Sequence, residues 1–175
     1  TKFRLLIPET RNGINEVLGT LILRELDIIS PETFEVNTNI NNVKNIMLFQ
    51  EISSKELLEK QGRREGPIFE GDESILWTYD NYDIKDFVGL SLLRLVNDNW
   101  FKKGRSSQVI TINSFSNLQK IYFKNRYAYI RDGGGGWRLK IFPNSLKNKY
   151  FLDFHTLLLA MNAKHAFYLH NRKYY

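Results

Sequence analysis

The spacing of apolar residues just after position 13 constrains what this chain can fold into more than any other feature. Five apolar residues recur at the i, i+3, i+4, i+7 and i+8 positions, a spacing that places side chains on one face of an α-helix. They are Ile14, Val17, Leu18, Leu21 and Ile22. Pro8 and the Asn12-Gly13 pair precede them and interrupt any earlier regular element. The pattern therefore predicts a helix that ends at about Leu26.

Short strand-like runs surround this helix and complete a compact pattern over residues 1–52. Three runs rich in β-branched and aromatic residues are predicted as strands: Lys2–Ile7, Thr33–Val36 and Met47–Ile52. Ile40, Val43 and Ile46 have helical spacing behind the possible caps Thr38 and Asn39, which predicts a second helix over 40–46. The prediction is an α+β domain of β-α-β-α-β order, a three-stranded antiparallel sheet with two helices on one face.

Several segments of this pattern match one protein family. They are the strand Lys2–Ile7, the helix end Thr20–Leu26, the strand Phe34–Val36, the helix Ile40–Ile46 and the strand Leu48–Ile52. In this order they resemble the L-thirty family of large-subunit ribosomal proteins, whose corresponding helix end reads T-L-x-x-L-G-L-x-K-L. Arg24-Glu25 stands where that family has Leu-Gly, and the proline that opens its second helix is absent here. The following polar stretch, up to Arg63–Pro67, is similar to the tail of mitochondrial members.

The resemblance implies a function and a location. A mitochondrial member would be a structural component of the large ribosomal subunit in the matrix, binding ribosomal RNA and neighbouring ribosomal proteins. It would be no enzyme, and it would need no cofactor, metal or small-molecule substrate.

The distribution of charge independently favours a polyanionic partner. Residues 1–99 contain 11 Lys and Arg against 17 Asp and Glu, whereas residues 100–175 contain 14 against only Asp132 and Asp153. The chain also has 12 Phe, 9 Tyr and 3 Trp. Cations neutralise phosphates and flat rings stack on bases, so this half is predicted to bind RNA. A solvated basic face is the plain alternative, and an acidic membrane surface would require a basic amphipathic helix, which the pattern does not suggest.

The remainder of the chain divides into two parts. Residues 53–99 are predicted as an acidic connector with a helix over Ser53–Gln61, a loop over Gly62–Glu73, a strand over Ile75–Tyr79 and a helix over Asp83–Asn97. Residues 100–175 are predicted as a basic, aromatic C-terminal extension. Its predicted elements are the strands Gln108–Ile112, Leu118–Phe123, Arg126–Arg131 and Trp137–Phe142, followed by a helix from Asp153 to about Lys164.

The candidate RNA-binding residues all lie in this extension. One cluster precedes the predicted strands and the other follows their alternation. The candidates are Lys102, Lys103, Arg105, Lys120, Lys124, Arg126, Arg131, Trp137, Arg138, Lys140, Lys147 and Lys149. The cations would neutralise phosphates, while Tyr127, Tyr129 or Trp137 would stack on bases.

Four consecutive glycines, Gly133–Gly136, raise the question of a nucleotide-binding loop. A P-loop needs Lys followed by Ser or Thr directly after its last glycine, and a helix after that. Here Trp137-Arg138 follows and the pattern continues as a strand, so a nucleotide site is excluded. Two interpretations are left: a flexible hairpin tip, or a bare backbone that lets neighbouring cations approach RNA closely.

Catalytic alternatives are weaker but stay open at this point. The three histidines, His155, His165 and His170, lack the spacing of a zinc site. Carboxylates at Glu70, Asp72 and Glu73 with Lys85 could hold Mg²⁺ in a nuclease or replication factor. A third possibility is an RNA-binding module of a larger polymerase. The chain has no cysteine, no apolar run of the roughly 18 residues that span a bilayer, and no visible signal peptide.

Overall fold

The computed structural model describes residues 2–11, 13–72, 92–131, 149–163, 166 and 171–175, with the backbone alone at 72, 92, 122 and 124–131. The chain forms two compact units, Thr1–Glu65 and Gly66–Tyr175. Both combine strands with helices, so the α+β class is confirmed.

The first unit is a three-stranded antiparallel sheet with helices. Its elements are β1 (Phe3–Leu6), a 3₁₀ turn (Pro8–Arg11), α1 (Ile14–Glu25), β2 (Thr33–Ile40), β3 (Val43–Glu51) and α2 (Lys55–Lys60). The spatial order is β1-β3-β2, with β3 in the centre. The three-stranded antiparallel sheet and the first helix are therefore as predicted, and α2 matches the helix predicted over Ser53–Gln61.

The predicted second helix over 40–46 is wrong, because these residues form a β-hairpin. Strands β2 and β3 pair continuously up to Ile40 and Val43, leaving Asn41 and Asn42 as a two-residue loop. Both loop residues have positive φ, 51° and 65°. That is the signature of a type I′ turn, which matches the twist of paired strands and prefers asparagine and glycine. The unit therefore has β-α-β-β-α order instead of the predicted β-α-β-α-β.

Substitutions at Asn42 distinguish the hairpin from the helix. We expect Asn42→Gly to raise the free energy of unfolding by a few tenths of a kcal/mol, since glycine adopts positive φ without strain. Asn42→Val should lower it by about 1–2 kcal/mol, because a β-branched residue at positive φ is strained. In a helix the order of the two variants would be reversed, since glycine is the worse helix former. Urea unfolding of both variants checks the order.

Leucines from β3 and α2 form the buried core of the first unit. Leu48, Leu57 and Leu58 are almost completely shielded from solvent. Gln61, just after α2, holds Ser30 through both of its backbone groups: the Ser30 amide donates to Oε1 at 3.1 Å, and Nε2 donates to the Ser30 carbonyl at 2.6 Å. The buried carboxylate of Glu51 lies 3.2 Å from the Lys60 ammonium, which raises the pKa of Lys60. These contacts attach α2 to the sheet.

The second unit contains a smaller antiparallel sheet and the long basic helix. Its elements are β4 (Phe69–Asp72), β5 (Leu92–Leu95), α3 (Asp98–Phe101), α4 (Arg105–Arg131), α5 (Lys149–Ala160) and β6 (Lys173–Tyr174). The strand order is β5-β4-β6. Ile68, Phe69, Leu93 and Leu158 are its buried apolar residues among those described.

The predicted strands Gln108–Ile112, Leu118–Phe123 and Arg126–Arg131 are wrong, because all three lie in the single helix α4. No proline or glycine interrupts residues 105–131, and Gly104 with a φ of 141° provides the break before them. The helix buries Ser107 and Thr111, whose hydroxyls donate to the carbonyls of Gly104 and Ser107, each at 2.7 Å. Because the buried positions Ser107 and Thr111 are polar and bond to carbonyls of their own helix or its start, the sequence shows no apolar helical period here.

Three smaller predictions also need correction. Leu92–Leu95 is a strand paired with β4 rather than the end of a helix over 83–97, and Phe69–Asp72 is a strand rather than loop. Helix α5 begins earlier than Asp153 and ends at Ala160, where Asn162 follows with a φ of 53°. The predicted strands Ile75–Tyr79 and Trp137–Phe142, and the glycines 133–136, lie outside the described residues.

Candidate nucleic-acid interface

The first predicted cluster of cations lies at the junction between α3 and α4. Lys102, Lys103 and Arg105 are all exposed and surround Gly104. The first turn of α4 contains no acidic residue. The amino end of a helix carries partial positive charge, so cations here are electrostatically unfavourable for the isolated protein. An anion bound at this junction would relieve that repulsion.

Both lysines of this cluster contact neighbouring side chains. The Lys102 ammonium pairs with the Asp98 carboxylate one turn earlier, and the pair is exposed to solvent. The Lys103 ammonium lies 5.8 Å from the centre of the Trp100 ring, within the range of a cation–π contact. Exposed contacts of this kind contribute little to stability, so a phosphate can replace them at small cost.

Helix α4 presents an exposed face on which cations and apolar side chains alternate. Arg105 and Lys120 are exposed and have no ion-pair partner among the described residues. They lie 15 residues apart, which is roughly 22 Å along a helix. Val109 and Ile112 between them and Phe123 beyond them are exposed at helical spacing on the same side. The surface is therefore mixed, with two cations separated by apolar side chains.

Of the remaining candidate RNA-binding residues, three lie on α4, one lies on α5 and four lie outside the described residues. Lys124, Arg126 and Arg131 belong to the carboxyl half of α4, so the predicted alternation of faces does not apply to them. Lys149 lies exposed at α5, where its ammonium donates to Asp153 at 3.0 Å, and this hydrogen bond raises the pKa of Lys149. Trp137, Arg138, Lys140 and Lys147 lie outside the described residues.

Among the carboxylates considered for a metal site, the one whose side chain is described, Glu70, binds cations of the protein. Glu70 on β4 pairs with Arg94 on β5, and its other oxygen lies 3.4 Å from the Lys173 ammonium on β6. Because Arg94 and Lys173 lie on the two strands that flank β4, the Glu70 carboxylate links all three strands of the small sheet. Within the part of the chain that the structure describes, no three His, Cys, Asp or Glu residues approach closely enough to hold a metal ion.

His155 is a buried residue of α5 with a structural environment. Its Nδ1 lies 2.8 Å from the Phe151 carbonyl and therefore donates to it. Its ring packs against Phe151 and Phe154. The Arg172 guanidinium, whose pKa is lowered by burial, lies 3.4 Å from Nε2. Both ring nitrogens thus face groups of this chain, which is typical of a packed histidine.

One feature of the first unit was missed by sequence reasoning. Three phenylalanines, one on each strand, stack in a row on the same face of the sheet. The Phe3 and Phe49 ring centres are 5.0 Å apart, and the Phe34 and Phe49 ring centres are 4.8 Å apart. We call Phe3, Phe49 and Phe34 the aromatic column. Alternation within each strand could have placed each ring on a face, but only the strand register aligns them.

Comparisons with known proteins add no relative. No protein-family model, no curated protein and no solved structure matches this chain. Among the described residues, no helix has both the length and the apolar character needed to cross a membrane.

Proposed function

We propose that this protein is a structural, RNA-binding component of a ribonucleoprotein particle. The particle that the sequence resemblance names is the large subunit of the mitochondrial ribosome. In this role the basic half of the chain neutralises phosphates of ribosomal RNA, while other surfaces contact neighbouring ribosomal proteins. The protein acts by binding and carries out no chemical reaction.

One observation carries the proposal: the charge of the second half is exposed and segregated. Residues 100–175 contain 14 basic residues against two acidic ones. The five candidate cations whose side chains are described, Lys102, Lys103, Arg105, Lys120 and Lys149, are all exposed. Helix α4 alone includes five basic residues and no acidic residue. Self-repulsion of this kind opposes folding of the isolated chain and is relieved by a polyanion.

The hairpin at Asn41-Asn42 weakens one part of the resemblance, since the family has a helix there. The RNA-binding proposal does not depend on that helix, because the cations lie in the second unit. The ribosomal part of the proposal rests on the first strand, helix α1 and the antiparallel sheet.

Charge reversal on helix α4 tests RNA binding. We expect the double variant Arg105→Glu, Lys120→Glu to bind a structured RNA more weakly and to reduce the salt slope of log Kd by about two, because two side chains no longer neutralise a phosphate each. Fluorescence anisotropy over a series of salt concentrations measures both quantities. Arg11→Glu, Lys44→Glu is the matched control, because it reverses two exposed cations of the first unit.

Two results would contradict this proposal. The first is an equal salt slope for the wild type, the α4 variant and the control. The second is binding to anionic lipid vesicles in preference to RNA, since α4 is a basic helix with exposed apolar residues and an anionic membrane surface is the competing partner.

Sedimentation tests the ribosomal assignment. Tagged protein from a mitochondrial lysate should run with the large ribosomal subunit on a sucrose gradient and move to lighter fractions after RNase treatment. Protein that stays at the top of the gradient would exclude the ribosome while leaving RNA binding to the anisotropy measurement.

A further inference from the structure

The outer rings of the aromatic column are open to solvent. Phe3 is 52% exposed and Phe34 is 41% exposed, although each stacks on Phe49. The interplanar angles of 27° and 25° keep the three rings close to parallel. Each outer ring therefore has one side against Phe49, and its remaining surface is available for a further flat ring.

The strand register defines the surface around the column. Leu5 pairs with Phe49, Val36 with Met47 and Thr38 with Asn45, so all of these residues share its face. The acidic residues on this side lie at one end, where the buried Glu51 and the 43% exposed Glu32 both contact the Lys60 ammonium of α2. The face therefore presents rings, aliphatic side chains and a few polar groups, and the two carboxylates at its end are both paired with the Lys60 ammonium.

The opposite face of the same sheet is occupied by the protein itself. Gln50 on β3 donates from Nε2 to Glu16 of α1 at 2.8 Å, and its neighbours Leu48 and Thr33 on this face are buried. The sheet thus has one side covered by α1 and one side that carries three exposed or half-exposed rings. An open sheet face with aromatic side chains is a recurrent way of stacking single-stranded bases.

We infer that the aromatic column is a stacking site for single-stranded RNA, in which one base stacks on Phe3 and another on Phe34. This inference rests on the proposed RNA-binding function and adds to it a second surface with a different physical basis. The cations of α4 bind phosphate, whereas the column binds bases through ring stacking and burial of apolar surface. Stacking is tolerant of sequence, since every base has a flat face.

The two surfaces should respond differently to salt. Neutralising phosphates releases counterions and makes affinity fall with salt, whereas stacking on an uncharged ring does not. Loss of a ring should therefore weaken binding by the same factor at every salt concentration. Loss of an α4 cation should change the salt slope.

The experiment measures Kd for a short oligouridylate and for an RNA duplex by fluorescence anisotropy, using the full chain. We expect Phe3→Leu and Phe34→Leu each to weaken oligouridylate binding on the order of tenfold with the salt slope unchanged. Duplex binding should stay as in the wild type, because paired bases cannot stack on the rings. Phe3→Tyr and Phe34→Tyr keep the rings and should bind like the wild type. Thermal unfolding of all four variants identifies any that fail to fold.

Three results would overturn the stacking site. Leucine variants that fold and bind oligouridylate like the wild type overturn the stacking site, even if the α4 variant shows that RNA binding itself is correct. A wild-type protein that binds neither RNA overturns both proposals. Self-association of the wild type in sedimentation equilibrium, abolished by Phe34→Leu with no change in RNA affinity, would assign the face to a second copy of the chain and also overturn the site.

Discussion

Replacing Leu48 by alanine should lower the free energy of unfolding of the first unit by about 3 kcal/mol, within the range of roughly 2–5 kcal/mol found for buried leucines. Leu48 has no solvent exposure and lies on the central strand β3, where it pairs with Leu6 on one side and Glu35 on the other. Its side chain lies on the face of the sheet where Gln50 bonds to Glu16 of α1. Truncation therefore leaves a cavity that the hydrogen-bonded sheet cannot close.

Ile46→Ala is the matched control for this prediction. Ile46 lies two residues earlier on the same face of the same strand but is 58% exposed. We expect its truncation to change the free energy of unfolding by about 0.5 kcal/mol or less. Urea unfolding followed by circular dichroism measures both variants. Similar losses of stability for the two would mean that Leu48 is not the centre of the core.

Replacing Asn97 by alanine should cost the second unit about 2–4 kcal/mol, because two buried backbone groups become unpaired together. The Asn97 side chain accepts from the Ile68 amide and donates to the Gly66 carbonyl, each at 2.8 Å. Its side chain thus pairs two backbone groups, just before β4, that a neighbouring strand would otherwise pair. Gln61 holds Ser30 in the same way in the first unit.

Hydrogen exchange at the Ile68 amide checks this prediction directly. Asn97→Ala should expose the amide to fast exchange. Asn97→Asp keeps an acceptor for it and should retain much of its protection, while removing the donor to Gly66. Asn99→Ala alters an exposed asparagine nearby and should change neither exchange nor stability. Unchanged protection of Ile68 in the alanine variant would contradict the role of Asn97.

Local patterns predicted those elements whose side chains obey one clear period. Helix α1 follows the spacing of Ile14 to Ile22, and α2 (Lys55–Lys60) lies within the segment Ser53–Gln61 that was predicted as a helix. At 40–46 the same reasoning failed, because Ile40, Val43 and Ile46 have helical spacing although the segment pairs as two strands. The decisive signal was the Asn41-Asn42 pair, which tolerates positive φ and closes a hairpin.

Helix α4 shows the opposite failure, in which short alternating windows concealed a long helix. Runs such as 108–112 and 126–131 alternate like strands when taken alone. Their helical state depends on 27 consecutive residues without a breaker, and on buried Ser107 and Thr111 bonding to their own helix. Five-residue windows cannot reveal either condition, because helix formation is cooperative over longer lengths.

The sequence by itself determined that the second half of this chain carries the positive charge, since charge is counted without knowing the fold. It also determined the α+β class and the first helix, which depend on contacts between near neighbours. Only the three-dimensional structure shows that five of these basic residues lie on one continuous helix, α4. It also shows that the pairing of β1, β3 and β2 aligns three phenylalanines. Both depend on register and on long uninterrupted segments, because residues far apart in the chain become neighbours only when the strands pair.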